Sequence, residues 1–313
     1  MVFPGFDRIL RLREHSTLVL SSIGLVVIVL VLNGCTRATI PIDTAATVAS
    51  DPTEEPLEEA TPQRESVFHT SGTYAVVWKP DDDTLKLHVP AGIAGSIVDE
   101  LEFDNNGISV TGNTTSLGSS LWVEILGPDG EMGWVNSWNL TEDVAGEDFC
   151  ADPRILAILE QVTQAFLTED ANSLMSRVNP KRGLVLRHDW WNPEVIIRPS
   201  DMANLYISRK DKIWGTLSGG DFAIEGSFTE IFSPLLMDVL GQIPTAICGE
   251  IPSGVTSMPV VWPGEYKNLH FYAFHRPHPE GGNRFDWRTM VFGFEYIQGE
   301  PYLTLIVHYH GDV

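Results

Sequence analysis

The chain has 313 residues, of which 43% are hydrophobic and 10% aromatic. That is room for about two domains of the usual ~100–200 residues, with at least one real core between them. Its formal charge of −22 would repel a phosphate backbone, which sets aside nucleic acid and anionic lipid headgroups as partners.

Arg8, Arg11 and Arg13 precede "STLVLSSIGLVVIVLVLNGC", whose apolar run spans Ser16 to Leu32. A basic start followed by such a run has the layout of a secretory signal. The stretch Leu32, Asn33, Gly34, Cys35 resembles a bacterial lipobox, which implies lipid attachment at Cys35. Residues 1–35 are therefore expected to be a lipoprotein signal peptide. The alternative is an uncleaved signal anchor, because a run of about 17 residues lies at the lower limit for a membrane span. Both readings leave the rest of the chain extracytoplasmic and anchored to the bacterial cell membrane, since basic residues before the run favour a cytoplasmic start. With Cys35 assigned to lipid, Cys150 and Cys248 remain. In an oxidising compartment they are expected to form a disulfide, two buried thiols being the alternative.

Residues 36–67 are rich in Thr, Ala, Pro and Glu and show no apolar period. Such a segment cannot bury enough surface to offset its ordering entropy, so it is expected to be a disordered acidic tether. From 68 to 145 short apolar runs alternate with Asp, Asn and Gly clusters. "TYAVVW", "LKLHV", "GSIVDEL", "ISVTG", "LWVEIL" and "MGWVNSWNL" predict a small all-β barrel. The order "LKLHVPAG", "IVDEL", "WVEILGPDGEMGWVNSWNL" resembles a bacterial SH3-like (SH3b) domain, through Gly92, Trp122, Gly130, Gly133, Trp134, Val135 and Leu140. The resemblance implies a binding module for cell-wall glycan or peptide, without chemistry of its own.

Residues 146–313 are expected to form an α+β domain. Asp152 is a good N-cap, Pro153 suits the first helical position, and Ile155, Leu159, Val162 and Phe166 form one stripe. A short second helix is predicted from about Ala171 to Val178. "DWRTMVFGFEYIQGEPYLTLIVHYHG" reads as a hairpin turning at Gln298 and Gly299. Strict alternation puts Met290, Phe292, Phe294 and Tyr296 on one face with Leu303, Leu305, Val307 and Tyr309. The opposite face then carries Trp287, Glu295, Thr304 and His308, the candidate ligand-binding residues. Two helices ahead of a closing hairpin resemble the NTF2-like pattern, helices packed on a curved antiparallel sheet around a pocket. The segments "VNPKRGL", "WGT" and "PYLTLIVH" are also similar to an uncharacterised domain of bacterial surface lipoproteins.

His308 and His310 lie two apart on a strand, a spacing at which one metal ion can bridge them, with Asp286, Glu295 or a histidine of "HFYAFHRPH" as a third ligand. The reading adopted is that His308 is a hydrogen-bonded pocket residue and His310 a frayed, exposed end, with no metal and no cofactor. No G-x-S-x-G elbow is present. In "RHDWWNPE", adjacent Trp190 and Trp191 would point to opposite sides of an extended chain, so at most one would be presented. The function expected is non-catalytic binding of cell-wall glycan, peptide or a small ligand. The first alternative is an enzyme whose acid-base site pairs Asp286 with His308. The second is a structural protein-interaction scaffold.

Overall fold

The computed structural model describes residues 70, 72–217, 220, 222–242 and 244–311. The signal or anchor segment, Cys35 and the acidic tether lie outside the described residues. The alternating runs after Thr73 form β1 (Thr73–Val76), β2 (Leu85–Val89), β3 (Ser96–Leu101), β4 (Ile108–Leu117), β5 (Ser120–Leu126), β6 (Met132–Asn136) and β7 (Leu140–Glu142). Leu85 and Leu87 of β2 turn inward while Lys86 between them is exposed, the period-2 pattern of a half-buried strand. With Val110, Val123, Ile125 and Val135 they make one apolar core. A glycine is required at Gly133, where an added Cβ would lie 2.8 Å from the Leu87 Cβ. These strands form one antiparallel sheet in the order β3-β2-β6-β5-β4-β1-β7, open because its end strands do not pair with each other. The fold is thus β-rich with some helices, and this sheet is not a closed barrel.

Three helices follow: α1 (Gly146–Ala151), α2 (Pro153–Leu167) and α3 (Ala171–Met175). The Asp152 side chain accepts a hydrogen bond from the Arg154 amide, and Pro153 occupies the first turn. The α2 stripe of Ile155, Leu159, Val162 and Phe166 is buried as its spacing predicts. Asp170 caps α3 through the Asn172 and Ser173 amides. Cys150 at the end of α1 is at bonding distance from Cys248, with Cα atoms 5.9 Å apart.

The remaining elements are β8 (Leu184–Arg187), β9 (Val195–Ile197), β10 (Lys212–Thr216), β11 (Ala223–Gly226), α4 (Phe228–Ile231), α5 (Ser233–Leu240), β12 (Ala246–Cys248), β13 (His270–Arg276), β14 (Arg288–Ile297) and β15 (Glu300–His310). Six of the strands form a second sheet, β12-β13-β14-β15-β8-β9. All its neighbours are antiparallel except β15 and β8, which run parallel with Leu305 beside Val185 and Val307 beside Arg187. β14 and β15 turn at Gln298 and Gly299, both with positive φ (54° and 74°), as a two-residue hairpin turn demands.

The hairpin faces differ from the alternation expected. Gly293 pairs with Leu305 but Phe294 pairs with Leu303, so the register slips by one residue at Thr304. A one-residue bulge exchanges the faces beyond it. Met290 and Phe292 therefore sit opposite His308 and Ile306. Leu305, Val307 and Tyr309 share a second core with Val291 and Trp287. The first face packs on α2 and α5 through Ile155, Val162, Phe166, Leu236 and Leu240. The second is covered by Tyr266, Leu269 and Trp262. Both faces of the hairpin are thus packed, and the mixed face expected to line a pocket does not exist as one surface.

The two sheets meet at Val77 and Trp78. Val77 is buried in the core that holds Trp287 and Tyr309. The Trp78 amide donates to Glu265 O at 2.8 Å, and the Asn268 side chain donates to Val76 O at 2.8 Å. Among the described residues, no helix is long and apolar enough to cross a membrane.

Candidate functional site

The sheet junction holds a cleft of about 890 Å³, bordered by Asn136, Ser137, Trp138, Lys181, Arg182 and Tyr302 among others. At its base Arg182, only 2% exposed, donates through Nε to both Glu295 oxygens at 3.0 and 2.8 Å. Its guanidinium lies over the rings of Trp78 (4.9 Å) and Trp138 (4.4 Å) and also donates to Trp138 O. Glu295 receives further bonds from Trp78 Nε1, Asn179 Nδ2 and Thr304 Oγ1, at 3.2, 2.5 and 2.9 Å. The carboxylate is saturated, whereas Arg182 Nη1 is buried without a partner. Burial lowers the Arg182 pKa and Glu295 opposes that shift.

Lys181 is exposed as a residue, yet its ammonium reaches into the cleft and donates to Ser137 O at 2.6 Å. Crowding by protein atoms, then the neighbouring Arg182 charge, bring its pKa down to about 7. The acids at the rim are already engaged. Glu142 accepts from the Gln298 and Gly299 amides, and Glu300 lies 3.3 Å from Arg154.

A second constellation lies at the far end of β15. The parallel pairing of β8 with β15 carries the residues just after β8, His188 and Asp189, to His308 and His310. Asp189 and His308 are each 1% exposed. Asp189 Oδ2 is 2.7 Å from His188 Nδ1 and accepts from Asn192 Nδ2 at 3.3 Å. Asp189 Oδ1 lies 3.0 Å from His310 Nε2 and 3.4 Å from His308 Nδ1, but forms no well-aligned hydrogen bond. His308 Nδ1 is 2.8 Å from His188 O, and His310 Nδ1 is 2.8 Å from Gly311 O. Burial opposes ionisation of Asp189, but the three imidazoles outweigh it and hold its pKa far below the usual range. Burial lowers the His308 pKa despite Asp189. For His310 burial acts the same way, but contact with Asp189 outweighs it and the net shift is upward.

The sequence-predicted residues divide between these places. Glu295 and Thr304 meet at the base of the cleft, while His308 belongs to the Asp189 cluster. Trp287 is fully buried on the other face of the sheet, its Nε1 donating to Val255 O at 2.8 Å. Asp286, the acid expected beside His308, is half exposed and paired with Arg276 at 2.9 Å. His310 is not a frayed end, since it closes β15 and faces Asp189. Trp190 and Trp191 pack edge to face, 5.7 Å apart. Both line a smaller pocket of about 510 Å³ with Arg187, Asn192 and Glu265, so two indoles are presented where at most one was expected. The sequence reading missed Arg182, Asp189 and His188 as site residues. Their signal was weak: "KR" before a Gly turn, and "HD" after an apolar run, become meaningful only when β8 is known to pair with β15.

Comparison of the chain with models of protein families, with curated proteins and with solved structures gives no match.

Proposed function

We propose that the chain is a membrane-anchored, extracytoplasmic binding protein of the bacterial envelope. It takes a carboxylate-bearing cell-wall fragment, peptide or glycan, in the cleft between its sheets, without chemistry. The observation that carries this reading is Arg182 Nη1, a buried donor left without a partner at the base of a cleft whose own acids are already engaged. A buried unpaired donor costs about 1–3 kcal/mol, which a ligand oxygen would recover on binding. Lys181 adds a second donor beside it. Trp138, 40% exposed, offers a ring against which a sugar or peptide face can lie.

The anchoring rests on the Arg8-to-Cys35 pattern and the acidic tether. The SH3-like reading of 68–145 supports a binding role, because that resemblance implies a binding module without chemistry, and the NTF2-like reading of 146–313 adds the expectation of a pocket. The test is sedimentation of the full chain with purified peptidoglycan, followed by titration with soluble muropeptides. Trp138→Ala and Lys181→Glu should each weaken binding by about tenfold or more, which corresponds to about 1.4 kcal/mol. Absence of binding by the unaltered protein, or equal binding by both variants, would refute the reading.

A further inference from the structure

We propose that Asp189, His188 and His308 form a binding site for a divalent transition metal of the zinc class, with His310 at its border as a fourth donor. One donor atom from each of the first three lies within 4.8 Å of the others. Imidazole and carboxylate together suit zinc, which takes three or four such ligands.

The hydrogen bonds around the cluster orient the donors. His308 places Nδ1 against His188 O, and His310 places Nδ1 against Gly311 O. A carbonyl oxygen can only accept, so each Nδ1 carries a proton, and in the neutral His308 ring Nε2 keeps its lone pair. This carbonyl–histidine arrangement fixes the ligating tautomer in metal sites. The consequence is visible at His308, whose Nε2 is buried and has no hydrogen-bond partner. Asp189 Oδ1 is similarly unclaimed although it faces imidazole nitrogens at 3.0 and 3.4 Å. Two buried acceptors left open in one cluster are costly unless a cation serves both.

The surroundings fit the same ligand. Trp191 lies 6.1 Å from the His310 ring and shields one side. His188 and His310 retain partial exposure, 13% and 22% at the side chain, which leaves a route for entry. The protein's net charge of −22 raises the local concentration of cations. His270 and His275 take no part, being bonded to Val144 O and Thr289.

The experiment is calorimetric titration of the metal-stripped full chain with Zn2+, in competition with a chelator of known affinity. One equivalent is expected. Asp189→Asn and His308→Gln should each lower the affinity at least tenfold, while Asp286→Asn leaves it unchanged. Substitution of Co2+ into the unaltered protein gives a readout independent of variant folding. Visible d–d bands and X-ray absorption showing imidazole nitrogen in the first coordination shell are expected. No binding by the unaltered protein, a Co2+ shell without imidazole, or unchanged affinity in folded Asp189→Asn and His308→Gln would overturn the site. None of these outcomes depends on the cleft at Arg182, so this inference and the proposed ligand fail separately.

Discussion

His308 and His310 stand two residues apart on one strand and lean on the same carboxylate, yet their surroundings drive their proton affinities in opposite directions. His308 is enclosed, so burial outweighs Asp189 and favours the neutral ring. His310 is more open, so Asp189 outweighs burial and favours the charged ring. In the metal-free protein, imidazole NMR titration should therefore show one ring midpoint below the ordinary imidazole value of 6.5 and the other above it. Asp189→Asn should bring the His310 midpoint down. The effect on stability follows by linkage: the raised pKa of His310 contributes stability that is complete below 6.5 and is lost as pH rises through its folded-state value. His308 contributes in the opposite sense, its neutral form favouring the fold above 6.5 and that advantage disappearing as pH falls through its lowered value. Coincident midpoints for the two rings would contradict this description. Little of the cluster was legible in the sequence. The i, i+2 spacing showed that His308 and His310 share a face, but their acid partner lies just beyond the end of another strand, and no local pattern states which strands pair in parallel.

At the scale of elements, α2 was readable because its determinants are local. Asp152, Pro153 and a four-residue stripe are all specified within a few turns. Asp152 does more than cap. It accepts from the Tyr296 hydroxyl at 2.9 Å and pairs with the Arg154 guanidinium at 2.7 Å, and the Arg154 bond, partly opposed by burial, depresses its pKa to about 2. Asp152→Ala should cost about 1–2 kcal/mol in chemical denaturation, at the upper end of a lost N-cap. Because the carboxyl pKa is depressed, its contribution is present above the ordinary carboxyl value of 3.8 and is lost as pH falls through about 2. An unchanged midpoint of unfolding at neutral pH would show that the cap is dispensable. The hairpin was readable for the same local reason, its turn marked by Gln298 and Gly299. Its faces were not, because alternation assumes an unbroken register and the bulge at Thr304 leaves no mark in the pattern of apolar residues. In β14, moreover, Thr289 to Tyr296 are all buried. A strand covered on both sides carries little information about which side is which.

For the molecule as a whole, Arg182 and Trp78 tie the two sheets into a single structure. The ion pair with Glu295 is 1% and 3% exposed at its side chains, so neither partner can be rescued by water. Glu295→Ala would leave a buried guanidinium without its anion and should destabilise by about 3–5 kcal/mol. Since the pair sits where Trp78 and Trp138 of the first sheet reach the second, calorimetry of the unaltered protein should show one cooperative transition for both sheets. Two separate transitions would show that the junction does not couple them. The sequence offered no hint of this junction. Its members lie at 78, 138, 182 and 295, and a contact among four distant residues has no periodicity to detect.

The parallel pairing of β15 with β8 also bears on how the chain is made. β15 follows the other described strands in sequence, but in the sheet it lies between β14 and β8. Until Glu300–His310 has been synthesised, β8 can pair only with β9, and β14 only with β13. Two growing half-sheets must wait with hydrogen-bonding edges exposed, the condition under which strands recruit wrong partners. A chain truncated before Glu300 would lack the eleven-residue strand that fuses them and should aggregate more readily than the full chain, which light scattering would show.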